Sequence, residues 1–258
     1  MKTNYHTHTS RCKHATGSTK DYLLNAIEKN VSILGFSDHA PFKDGPYESR
    51  MEFYELEDYI ADIKNLKKDY SDKIDIKCGL EIEYIPSKIH YYKELLNDYK
   101  LDYLVLGQHF FTDSNNNFIN TYLLNDSSKY IEYAKIAVEG MKTGFFKFLA
   151  HPDVIFINDV PWDENCEKCC DIIINAAKEN DFILEFNANG IRKGIYDFCD
   201  GSRYSYPHKK FWDKVAKTNV KVIINSDCHE PKCVWDSTMD KAYDMAKSFG
   251  LNIINKIF

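Results

Sequence analysis

Nowhere in the 258-residue chain do about 18 apolar residues run together, so hydropathy offers no membrane-spanning helix. The N-terminus also lacks the long apolar segment of a secretory leader, and a cytoplasmic protein is expected. Basic blocks are missing too. With a net charge of −6, a nucleic-acid backbone is not expected as the main partner. There is no linker, repeat or low-complexity tract, which predicts one domain over residues 1–258. Separated Cys/His doublets at structural-zinc spacing are absent as well. Of the eight cysteines, Cys166, Cys169 and Cys170 open an amphipathic helical pattern and the rest are scattered. Reduced thiols packed beneath a helix are therefore expected, not a disulfide framework. A hydrophobic content of 44% supports a sizeable core.

What is present begins with histidine. Three of the nine histidines fall in the first fifteen residues, as His6, His8 and His14. If Thr3 to Tyr5 ends a strand, His6 and His8 share one side of it, because strand side chains alternate with period two. Two imidazoles on one side can grip one cation, and His14 can return from the loop that follows.

Strand-like and helix-like segments alternate along the chain. Strands are predicted at Thr3–Tyr5, Ile33–Phe36, Ile74–Leu80, Leu101–Leu106, Phe146–Ala150, Phe182–Phe186 and Val220–Ile224, with a weak last one at Leu251–Ile254. Helices are predicted from Ser18, over Glu52–Tyr70, Lys88–Leu96 and Lys129–Lys142, after Trp162, over Pro207–Lys217 and over Met239–Phe249. Pro41 to Met51, carrying Gly45, Pro46 and Arg50, reads as a polar loop, and Asn-rich Thr112–Asn120 as an exposed one. Alternation of this kind argues for parallel strands joined by right-handed crossovers.

Six of the seven strands end in a residue able to bind a metal: His6 and His8, His39, Glu81, His109, His151, and the pair Asp227/His229. The seventh ends in Asn187 and Asn189, with Arg192 just beyond. Active sites of α/β barrels gather at the C-terminal strand ends, so these side chains are expected to converge. His90 and His208 follow no apolar strand and read as surface or capping residues. Imidazole and carboxylate ligands without a thiolate suit Zn²⁺, Mn²⁺ or Fe²⁺. Clustered divalent ions acidify a bound water and stabilise in-line displacement at phosphorus, which needs no side-chain nucleophile. Cys228, between two candidate ligands, is accordingly expected to pack.

The motifs His6-Thr7-His8, Cys12-Lys13-His14, Ser37-Asp38-His39, Gly79-Leu80-Glu81, His109, His151-Pro152-Asp153 and Ser226-Asp227-Cys228-His229 resemble, in order, those of the PHP (polymerase and histidinol phosphatase) superfamily. Ser37–Phe42 and Asn187–Lys193 further resemble its histidinol-phosphate phosphatase branch. The resemblance implies a distorted seven-stranded (β/α)7 barrel with three divalent ions at the C-terminal strand ends. It would place His6, His8, Glu81 and Asp227 on one ion, Glu81, His109 and His151 on a second, and His14, His39 and His229 on a third.

The implied activity is phosphomonoester hydrolysis of a small phosphorylated substrate, L-histidinol phosphate of histidine biosynthesis first among them. Attack would come from a metal-bound hydroxide, with Asp227, His39 or His229 supplying the leaving-group proton. Arg192 matches a phosphate-binding arginine whose fork suits bidentate recognition. Relatives often carry a basic residue where this chain has Ile155-Phe156-Ile157, which leaves Arg192, Arg11, Arg50 or Lys193 to grip phosphate. Asp153 and Glu83 are candidates for the cationic end of the substrate. Competing readings are a PHP phosphoesterase acting on another small phosphate or a nucleotide end, and a non-catalytic metal-binding domain.

Overall fold

In a computed structural model, which describes residues 1–44 and 49–258, strands and helices alternate almost throughout. In chain order they are β1 (Thr3–Asn4), α1 (Thr19–Glu28), β2 (Ile33–Phe36), α2 (Leu56–Asp69), β3 (Asp75–Ile82), α3 (Ile89–Asn97) and β4 (Tyr103–Leu106). A hairpin of β5 (Phe110–Thr112) and β6 (Phe118–Asn120) precedes α4 (Tyr130–Lys142), β7 (Phe146–Leu149), α5 (Glu164–Glu179) and β8 (Ile183–Asn187). The short α6 (Asn189–Arg192) leads to a second hairpin, β9 (Ile195–Phe198) and β10 (Gly201–Tyr204). Last come α7 (Lys209–Val215), β11 (Lys221–Asn225), α8 (Ser237–Phe249) and β12 (Asn252–Ile254). Gly45 and Pro46 of the expected polar loop lie outside the described residues.

Eight strands form one parallel sheet in the order β1-β2-β3-β4-β7-β8-β11-β12. The eighth is the weak last strand of the sequence reading. The sheet curls until the segment after β1 meets the segment after β11, where Thr7 bridges Cys228 and the His8 amide donates to the Cys228 carbonyl at 3.0 Å. Asn4 and Asn225 reinforce this contact by accepting from the Ser226 and Tyr5 amides.

Side-chain alternation divides the sheet's two faces. On β4, Leu104 and Leu106 join the large outer core under the helices, whereas Tyr103 and Val105 join a smaller inner one with Tyr5, Phe148 and Ile223. Tyr103 fills the inside, donating its hydroxyl to the Tyr5 carbonyl at 2.7 Å. Its ring fits because Gly79 faces it: a Cβ there would lie 2.5 Å from Tyr103 Cε1. The interior floor is thus aromatic, and the polar strand ends stand above it.

Helix starts follow their capping residues. Ser18 and Asp21 form a reciprocal capping box on α1, and Asp163 and Asp236 accept first-turn amides of α5 and α8. Cys166, Cys169 and Cys170 are buried on the inner face of α5 as free thiols. No described helix is long and apolar enough to cross a membrane.

Candidate metal centre

Each candidate ligand stands where the sequence places it, just past or at the end of a sheet strand. His6 and His8 follow β1, His39 follows β2, Glu81 belongs to β3, His109 follows β4, His151 follows β7, and Asp227 and His229 follow β11. His14 returns through a one-turn helix closed by Lys13 in the left-handed region, at φ 65°. Two ligands carry positive φ themselves, His151 at 30° and Asp227 at 46°. Such backbone is costly outside glycine and persists where surrounding structure holds it, as at functional sites.

Glu81 is the hub. Its carboxylate lies 3.0–3.4 Å from ring nitrogens of His6, His8, His39, His109 and His151. Asp227 stands 3.1 Å from His8 Nε2 and 3.6 Å from His6 Nε2. His14 and His229 meet Nε2 to Nε2 at 2.9 Å. Two lone pairs that close need a proton or a cation between them. All nine predicted ligands are therefore brought together.

Among the described residues, four groups place their ligand atoms within 4.8 Å of one another: His6/His8/Glu81, His6/His151/Asp227, His39/Glu81/His109 and His8/His39/His229. His39 turns its Nδ1 to Glu81 and so shares two groups. Nε2 of His6 and of His8 and Oε2 of Glu81 are buried with no hydrogen-bond partner. Buried polar atoms are otherwise nearly always paired, so this donor set fits divalent cations.

The electrostatics agree. Burial alone would raise the carboxyls of Glu81 and Asp227, but the imidazoles around them hold both well below the carboxylate range. Burial pushes His39 well below its ordinary value, and burial with His8 holds His229 down to about 4. His109 is the reverse case: burial opposes its charge, yet Glu81 and Glu83 raise it to about 10. Ionised carboxylates that draw positive charge into a buried cluster are what a cation site requires.

Outer partners orient the rings. Nδ1 of His6 meets Glu185 Oε1 at 2.8 Å, and Nδ1 of His109 meets Glu83 Oε1 at 3.0 Å. His8 Nδ1 lies 3.3 Å from Cys12 Sγ, and the Cys12 thiol donates to Asp38 at 3.0 Å. In each ring Nε2 is left facing the centre. The sequence reading missed Glu185, although an acid inside the apolar run Phe182–Phe186 was its available signal.

A cavity of about 670 Å³ opens over the ligands, walled by Phe110, Phe118, Asn120, Tyr122, Lys193 and Tyr206. Arg192 is not brought to it. Its guanidinium is spent on Asp236 (2.9 and 3.2 Å) and on the carbonyl and hydroxyl of Ser226 (3.1 and 3.0 Å). The adjacent Lys193 lines the cavity instead. Arg11 pairs with Asp62 at 2.6 Å, outside the cavity wall. Arg50 lines the cavity but forks onto Glu83 at 3.1 and 3.3 Å, which balances that carboxylate's charge. Asp153 is also withdrawn, buried and accepting from Trp212 Nε1 at 2.9 Å. Phe156, in the place of the relatives' basic residue, packs on Tyr130 and Trp162 in the outer core.

His90 is exposed on α3, as expected. His208 is not a surface residue: it starts α7 but is buried, its ring stacked on Trp162 at 4.7 Å.

Known proteins resemble the chain in sequence and in fold. The histidinol-phosphatase of Bacillus subtilis is 29% identical over 265 residues, covering 89% of this chain and 94% of its own. The histidinol phosphate phosphatase of Lactococcus lactis, solved with zinc, L-histidinol and phosphate, superposes with a TM-score of 0.73. It is 17% identical, and the match covers 98% of this chain and 95% of that one. A family model described as the PHP domain matches residues 4–189, the span holding every candidate ligand from His6 to His151. With its sequence motifs, curled sheet and strand-end ligands in agreement, the chain belongs to the PHP family.

Proposed function

We propose that this protein is a metal-dependent phosphomonoesterase, and specifically an L-histidinol-phosphate phosphatase of histidine biosynthesis. The observation that carries the reading is Glu81, ringed by five imidazoles at 3.0–3.4 Å on the floor of a cavity. Relatives of similar length bear the histidinol-phosphatase name, and the Lactococcus lactis protein was solved with L-histidinol and phosphate. On this reading residues 1–258 form one PHP unit, a seven-stranded (β/α)7 barrel with β12 appended beside β11.

Three divalent ions are assigned: to His6, His8, Glu81 and Asp227; to Glu81, His109 and His151; and to His14, His39 and His229. When bound, they acidify a water and neutralise phosphoryl oxygens. The chain's own residues do the rest. Of the cavity-wall cations Arg50 and Lys193, we assign Lys193 to a phosphate oxygen because Arg50 already forks onto Glu83, while Arg192 braces the Ser226–Asp227 turn. Phe110, Phe118 and Tyr122 present aromatic faces to the substrate's ring, Tyr122 lying parallel to His109. His39, Asp227 and His229 edge the cavity where the leaving oxygen is protonated and, being unprotonated themselves, would relay that proton from a water. Cys228 takes no part, since burial pushes its thiol up to about 12.

A panel of phosphomonoesters assayed beside metal analysis tests the proposal. L-Histidinol phosphate should give the highest kcat/KM, with divalent metal retained through purification. A higher value for another small phosphate or a nucleotide end would reassign the substrate and leave the metal chemistry intact.

A further inference from the structure

We infer that Glu185 is a positioning residue that fixes the ring tautomer of His6 and ties four sheet strands together beneath the metal centre. The inference rests on the metal-centre reading above. Glu185 lies on β8, whose end supplies no candidate ligand, and its side chain is fully buried. Oε1 meets His6 Nδ1 at 2.8 Å and Asn225 Nδ2 at 2.9 Å. Oε2 meets Asn187 Nδ2 at 2.8 Å and the His151 amide at 3.0 Å. These partners belong to the ends of β1, β11, β8 and β7.

The partners are donors, and three of them independently so. Asn225 Oδ1 already accepts from the Tyr5 amide and Asn187 Oδ1 from the Asn189 amide, which turns both NH₂ groups toward Glu185. The third is a backbone N–H. A carboxylate offers acceptor sites only, and with Asn225, Asn187 and the His151 amide already donating to Glu185, His6 Nδ1–H completes the set as the fourth donor. His6 Nε2 is then left as a bare lone pair, the buried atom without a partner that faces Glu81 and Asp227. A glutamine at 185 would set its NH₂ against two donors whichever way it turned. It would thereby release either His6 with Asn225 or Asn187 with the His151 amide.

The test compares Zn²⁺ retention against a competing chelator in wild type, Glu185→Gln and Asp153→Asn. Asp153 is an equally buried carboxylate outside the cavity wall and controls for loss of a buried acid alone. Glu185→Gln should bind Zn²⁺ about 10- to 100-fold more weakly, and Asp153→Asn as wild type does. Equal retention in Glu185→Gln, or equal loss in both variants, overturns the inference. A wild type that binds no Zn²⁺ sinks the metal-centre reading itself. Should Glu185→Gln fail to fold, ¹⁵N-histidine NMR of Zn²⁺-loaded wild type decides, the His6 signal being identified by its loss in His6→Asn. A proton on His6 Nδ1 upholds the assignment; a proton on Nε2 overturns it.

Discussion

Arg192 and Lys193 are consecutive cations with opposite duties. The guanidinium is filled by Asp236 and Ser226, whereas the ammonium stands in the cavity wall 3.3 Å from the Tyr206 hydroxyl. Lys193→Ala should therefore lower kcat/KM for the best phosphomonoester roughly tenfold, with little change in stability. Arg192→Lys should instead cost about 1–3 kcal/mol of unfolding free energy by denaturant titration and affect kcat/KM less. The reverse order would return phosphate binding to Arg192. His208 makes a different prediction. Burial lowers its pKa from 6.5 to about 4, and both ring nitrogens lack hydrogen bonds. The folded chain thus binds fewer protons than the unfolded one between those pH values. Stability from this group is intact above about 6.5 and erodes, by at most about 3 kcal/mol, as pH falls to about 4. His208→Phe keeps the stack on Trp162 and removes the titration, so its Tm should fall less over that range.

The parallel strands and long helices were legible in the sequence because each is a sustained pattern. Expected and observed helices differ by a residue or two at most ends, but α2 starts at Leu56, four residues after the expected Glu52, because a 3₁₀ turn occupies Phe53–Glu55. The two hairpins were not legible: their strands span three or four residues with mixed exposure, too short for a period of two to register. Asn-rich 113–117 proved to be the first hairpin's turn, organised by Asp113 accepting from the Asn115 and Asn117 amides. Gly107, just past β4, shows how an element's end shapes the centre. A Cβ there would sit 2.2 Å from Glu81 Oε1. Gly107→Ala should leave the fold intact, displace the hub carboxylate and lower kcat about 100-fold. Circular dichroism and single-substrate kinetics check the pair, and unchanged turnover would show that Glu81 has room to move.

Across the whole molecule, the nine candidate ligands could be picked from the sequence because each ends or follows an apolar strand or its loop. Their sharing could not, since distances such as His14–His229 arise only when the sheet curls. Glu185 escaped notice for the same reason, and Glu83 was read as a substrate group and not as the partner of His109: both act through rings that other strands supply. Chelation should abolish phosphatase activity and lower Tm, and returning Zn²⁺ or Mn²⁺ at about 1,000 times Kd should restore about 4 kcal/mol of stability. Thermal melts with and without chelator measure this, and a fully active metal-free protein would end the metal reading. The meeting of the segments after β1 and β11 has one more consequence. His14 and His229, 215 positions apart, close the same centre. During translation the first ligands leave the ribosome long before the last are made, so every product stopped short of Asp227 lacks part of the set. Catalytic competence therefore arrives in a single step near the end of synthesis, and truncated chains cannot act as weaker copies of the enzyme.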